Sequence, residues 1–102
     1  SDEAAGRHYD DLFNMYEKLR RRLEYSVEQI DNISPSYWDD MSKTREMINF
    51  HLTGSFPDRE SFMNSPRTRD FVNKRIQNLL YLVLNVEKME KMLKMTKKKK
   101  NI

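Results

Sequence analysis

Two histidines, a few adjacent carboxylates and a terminal lysine run are the side chains of this sequence on which chemistry could be built. His8 precedes Tyr9-Asp10-Asp11, and on a first helical turn the i, i+3 spacing could bring His8 and Asp11 to one cation. Any highly charged helix offers the same trio, so no metal site is expected. His51 falls at the end of a predicted helix, where a cationic side chain suits the negative end of the dipole. Asp39 and Asp40 are neighbours and point different ways on a helix, so they cannot converge as an acid and a base. The serines lack a nucleophile elbow or a base, and there is no Gly-rich phosphate loop. Zero Cys excludes disulfides, thiol nucleophiles and thiolate zinc sites together. Nothing assembles an acid, a base and an oxyanion donor. The sequence reads as a non-enzyme with no cofactor and no metal.

The elements that carry these residues are helices. Tyr9, Leu12, Tyr16, Leu19, Leu23, Val27 and Ile30 recur at steps of three and four, which predicts one amphipathic helix from Asp2 to about Asp31. Gly6 weakens its first turn and would move the start toward Arg7. Arg20, Arg21 and Arg22, between Glu17 and Glu24, read as a solvated face with some pairing along the helix. Ser34-Pro35 is a cap-plus-proline start for a second helix from about Pro35 to Leu52, burying Trp38, Met41, Ile48 and Leu52 with Tyr37 and Met47 beside them. Gly54 would stop it in a left-handed cap. Between Ser55 and Ser65, Pro57 could open a short helical turn that Phe56, Phe62 and Met63 pin to the bundle.

Ser65-Pro66 repeats the helix start, and the last helix should reach about Lys97. Val72, Ile76, Leu79, Val83, Val86 and Leu93 keep a 4-3 heptad spacing that only Glu90 breaks. Lys74, Asn78, Tyr81, Asn85 and Lys88 form the opposite, polar face. The run from Leu79 to Leu84 is apolar nearly all round, as in a helix touched on several sides. Both Ser-Pro steps could also be proline-directed phosphosites, although ordinary helix capping is the favoured reading of each.

The fold class is therefore all-α: a small antiparallel helical bundle of three main helices plus a short helical connector. Residues 1–96 form the single domain and 97–102 a disordered basic tail. The expected core is Leu12, Tyr16, Leu19, Leu23, Trp38, Met41, Ile48, Ile76, Leu79, Leu80 and Val83. At 102 residues and 12.4 kDa a second domain has no room. Two Gly and three Pro argue against a turn-dense β sandwich. The longest apolar run is far too short for a bilayer, and no secretory signal is present. The acidic start and lysine-rich end read as the edges of a piece of a longer chain. Net charge is +3, and setting aside Lys97, Lys98, Lys99 and Lys100 takes it to −1. The basicity is local, unlike the stripe of a dedicated DNA-binding face.

In the last helix, Asn78-Leu79-Leu80-Tyr81-Leu82-Val83 followed by Glu87-Lys88-Met89 resembles a helix of the Jade and bromodomain–PHD-finger scaffold family, which organises histone acetyltransferase complexes. Tyr37-Trp38 is similar to a second landmark in the same order. The resemblance covers about a fifth of the chain and implies an intracellular, nuclear scaffold fragment outside the zinc-finger module. It assigns no functional residue. The leading expectation is a protein-interaction module of a chromatin-associated assembly. Its partner, a peptide or helix of another subunit, would bind between helices or along the last one through Tyr81, Met89, Met92, Leu93 and Met95. Packing of that Met-rich end onto the first helix is the competing reading. Two other functions stay open. One is nucleic-acid or acidic-surface binding through Arg20–Arg22 and Lys97–Lys100. The other is coiled-coil self-association of the over-long heptad helix into a homodimer.

Overall fold

The computed structural model describes residues 1–100, the last of them by its backbone alone. Helix α1 spans Asp2–Ile33, a 3-10 turn covers Tyr37–Asp39, and α2 spans Ser42–Thr53, α3 Arg59–Asn64 and α4 Pro66–Lys100. The fold is an all-α bundle of three main helices and a short connecting helix, with no strand among the described residues. It forms a rod of 60 × 22 × 15 Å.

Successive main helices are antiparallel, as expected. Asp31 of α1 meets Arg45 near the start of α2, and Tyr16 meets His51 near its end. Helix α3 then crosses the base of the rod, where Arg59 pairs with Asp10. This returns the chain to the starting end, so α4 runs parallel to α1. Tyr16 meets Arg75 and Arg22 meets Glu87, both advancing in the same direction. That parallel pair carries most of the packing.

Its seam is a heptad on both sides. Tyr16, Leu19, Leu23 and Ile30 from α1 are buried against Val72, Ile76, Leu79, Val83 and Val86 from α4. Each fully buried large aliphatic side chain contributes roughly 1.5–3 kcal/mol. The heptad break at Glu90 is matched on α1 by Ser26, and both are buried. Burial by itself would raise the Glu90 carboxyl. Hydrogen bonds from Lys94, at 2.6 Å, and from the Ser26 hydroxyl outweigh it and hold the pKa below the usual carboxylate value. A satisfied polar layer of this kind fixes the register of a helix pair.

Several expectations are corrected. Helix α1 starts at Asp2 despite Gly6, because the Ser1 hydroxyl accepts the Ala4 N–H. Ser34 terminates α1, with its N–H on the Ile30 carbonyl, and does not cap a helix from Pro35. The second helix is divided at Asp40–Met41 into the 3-10 turn and α2. The Trp38 indole donates to the Asp31 carboxylate at 2.6 Å, and this link draws the turn back against α1. Gly54 is extended, with φ −71° and ψ 147°, and uses no left-handed cap. Met41 and Leu80 are exposed and Leu84 with them, while Leu12 and Trp38 are only partly buried. Helix α4 is therefore covered on one side and open on others. Its backbone is helical to Lys100, where a disordered tail is expected from residue 97, and Asn101 and Ile102 lie outside the described residues.

The connector behaves as its aromatic residues predict. The Asp58 carboxylate accepts the Ser61 N–H at 2.8 Å to start α3. Phe62 is fully buried against Tyr9, with Phe56 packed beside them. Ser65 caps α4 through the Thr68 N–H.

Candidate docking groove

Helix α2 carries more apolar residues than one stripe can bury. Ile48 is buried in the core and Leu52 packs against it, which leaves Met47 and Phe50 on another side at 53% and 55% exposure. Because α2 rests on α1 and approaches α4 little, these side chains form one wall of an open trough. The opposite wall is α4, through Asn78, Tyr81, Asn85 and Met92.

The trough consists of three adjoining cavities of about 220, 800 and 580 Å³. Phe50, His51 and Asn78 are common to the first two, and Met47, Leu82 and Asn85 to the second pair. It follows α4 from Phe71 to Met92, roughly 30 Å at the helical rise. Tyr81 is 72% exposed along it. At the far end Met41, Met47, Met89 and Met92 surround Trp38. The Trp38 ring is held by its bond to Asp31, by the Arg45 guanidinium 5.2 Å from its centroid, and by Tyr37 edge-on at 4.9 Å. A rigid aromatic among adaptable thioethers suits reception of an apolar side chain.

Beneath the near end lies a buried polar network. Arg75, 5% exposed, donates to the Tyr16 hydroxyl at 2.8 Å and to the Ser55 carbonyl, and Tyr16 donates to the His51 carbonyl at 3.0 Å. Arg20 donates to the Leu52 carbonyl at 2.6 Å. Two guanidinium groups thus complement the negative C-terminal end of α2. Arg69 does the same for α3 through the Phe62 and Met63 carbonyls.

His51 corrects its expected cationic role. It is 4% exposed, and its Nδ1 has no hydrogen-bond partner. Burial, and then the charge of Arg75, push its pKa below the usual value, so the ring is neutral. In the unfolded chain His51 takes up a proton near pH 6.5, whereas the folded chain resists until lower pH. Stability should be full above about pH 6.5 and decline as pH falls below it. A second decline should follow in stronger acid, as Glu90 is protonated on passing down through its lowered folded pKa. Urea midpoints across pH 3–8 would show both stages. His51→Leu should flatten the first, and an unchanged profile in that variant would refute the assignment.

The residues singled out from sequence divide. Tyr81, Met89 and Met92 line the trough. Leu93 turns toward Ile33 at the end of α1, and Met95 is 60% exposed outside the trough. Met89 and Leu93 also pack on the core, so the Met-rich end is partly a structural seam. The arginine cluster is not a free basic patch. Arg20 is engaged with Glu17 and Leu52, and Arg22 forms a two-pronged ion pair with Glu87 of α4. Arg21 and Lys97–Lys99 are exposed, and the Lys100 side chain lies outside the description. His8 sits near the Phe62 ring, and no group of three metal-ligating side chains forms among the described residues. None of the described helices is long and apolar enough to cross a membrane.

Met47 and Phe50 escaped the sequence reading as site residues, although the surplus of apolar positions on α2 was their signal. Lys74, Asn78, Tyr81, Asn85 and Lys88, read as the polar face opposite the heptad, form the α4 wall or its rim. No protein-family model matches this chain, and no curated protein or solved structure shows significant similarity to it.

Proposed function

We propose that this chain is a non-catalytic protein-interaction module that docks a helical segment of a partner in the trough between α2 and α4. The observation carrying this reading is the continuous row of exposed Phe50, Met47, Tyr81 and Met92 along an open cleft. Apolar anchors spaced along a groove are the usual receptor for an amphipathic helix, and a patch of this extent is uncommon on a chain that stays alone. The resemblance of α4 to the Jade and bromodomain–PHD-finger helix supports a nuclear, chromatin-associated scaffold as the setting.

The alternatives have less support. Nucleic-acid binding loses Arg20 and Arg22 to internal pairs and retains the exposed lysines of the last turns. Self-association through the α4 heptad would have to displace α1, which already fills that seam.

A photo-crosslinker at Asn85, on the groove wall, should capture a partner polypeptide, whereas one at exposed Asn73 should not. Tyr81→Glu should reduce the Asn85 adduct at least tenfold while the melting temperature stays within about 2 °C, since an exposed site contributes little to folding. Equal capture from both positions, or capture that survives Tyr81→Glu, would sink this reading.

A further inference from the structure

Resting on that docking reading, we infer the chemical class of the partner: an acidic amphipathic helix, with its carboxylates concentrated at the end that lies over Met92. The groove is not electrically neutral along its length. Lys43 and Glu46 stand together on the rim of the central cavity, where their charges offset each other. At the near end Lys74 is already engaged by Asp70 at 3.1 Å. At the far end Lys88 lines the cavity with no acidic residue in its wall.

From there the surface of α4 becomes steadily more basic. Lys91 follows Lys88 by one helical turn, and the exposed Lys97, Lys98 and Lys99 continue in the same direction. The acids of α4 in this stretch are used internally. Glu87 is bound by Arg22, and Glu90 is buried on Lys94 and Ser26. Across the cleft Asp39 and Asp40 of the 3-10 turn are exposed but lie outside the lining of the far cavity. Among the described residues Lys43, Lys88 and Lys91 take part in no ion pair. Met92 and Met95 lie among these lysines at 49% and 60% exposure.

The chain therefore offers two features in fixed relation. One is an apolar cleft about 30 Å long, which matches a helix of roughly twenty residues. The other is a field of unpaired ammonium groups at one end of that cleft. A bare polyanion would satisfy the lysines and leave the cleft empty, and a neutral apolar helix would leave the lysines unanswered. An amphipathic helix whose flanks are acidic at that end satisfies both. Charge complementarity of this kind sets specificity and on-rate and is screened by salt.

Two synthetic twenty-residue helical peptides provide the probe. They share leucines at i, i+3, i+4 and i+7, and carry either Glu or Lys on the flanks of one terminal half. The single tryptophan, Trp38, sits in the cleft and reports occupancy of the full chain by fluorescence. The Glu peptide should bind at least tenfold more tightly than the Lys peptide at 50 mM salt, and the gap should narrow at 500 mM. Lys88→Glu with Lys91→Glu should reverse the preference. Equal binding of both peptides, lost in Tyr81→Glu, would overturn the acidic assignment and leave the docking groove standing. Binding of the Glu peptide that moves no Trp38 signal and survives Tyr81→Glu would mean contact with lysines alone, and would overturn the inference. Absence of binding by either peptide would overturn it together with the groove as a helix receptor.

Discussion

Replacing Arg75 with Ala should lower the unfolding free energy by about 3 kcal/mol, one of the two largest losses expected of any polar side chain or glycine here. Arg75 ties the sparsely packed α2 to the α1–α4 pair. It reaches from α4 to Tyr16 of α1 and to the Ser55 carbonyl after α2, with its Cζ 5.1 Å from the ring centroids of Tyr16 and of Phe50. None of the described carboxylates pairs with it, so the carbonyl end of α2 and the two aromatic faces answer its charge. Hydrogen bonds to a buried ion are worth about 1.5–3 kcal/mol each. Relief of burying the ion offsets part of that loss, which sets the net near 3.

Arg75→Lys should recover less than half, because an ammonium lacks the planar fork that serves Tyr16 and Ser55 at once. Urea unfolding of the two variants would measure both values. A loss below about 1 kcal/mol for Arg75→Ala would show that the network fills space without holding α2 in place. The variant should also widen the near end of the groove, since Arg75 and His51 form its floor.

Gly54→Ala should cost about 2–3 kcal/mol for a reason that follows from the same network. A Cβ at residue 54 would lie 2.5 Å from the Phe50 carbonyl oxygen and 2.8 Å from Nη2 of Arg75. The backbone conformation there is open to alanine, so the penalty is steric. Lower unfolded-state entropy would favour alanine by only about 0.4–1 kcal/mol. The Phe50 oxygen also accepts the Gly54 N–H at 2.9 Å, so the last turn of α2 must shift if the methyl is to fit. In an Arg75→Ala background the cost should shrink by at least about 0.5 kcal/mol, because one of the two clashes has gone. Strict additivity would place the whole penalty on the Phe50 carbonyl. Gly6 provides the contrast. A Cβ there meets only Arg59 Nη1, at 3.6 Å. Gly6→Ala should therefore stabilise α1 by about 0.5–1 kcal/mol.

Local rules determined much of this protein. The three- and four-residue steps from Tyr9 to Ile30 and from Val72 to Leu93 specify two long helices and their buried stripes. Ser65-Pro66 sets the start of α4, and the aromatic residues of the connector tie it down. Even the polar layer was visible as a heptad break at Glu90, because periodicity is a property of the chain itself.

What sequence alone left open depended on contacts between distant segments. Asp31 captures the Trp38 indole and divides the second helix. Arg20 reads as part of a solvated face in the sequence, yet with Arg75 it becomes the clamp on α2, because the carbonyls they bind belong to another part of the chain. Tyr81, Met89 and Met92 could be named in advance as exposed apolar positions, but their wall across the cleft could not. It forms because α2 spends Ile48 and Leu52 on α1 and has too few residues to close over α4. Whether an apolar side chain becomes core or docking surface is decided by what stands opposite it, and that is set by the path of the folded chain.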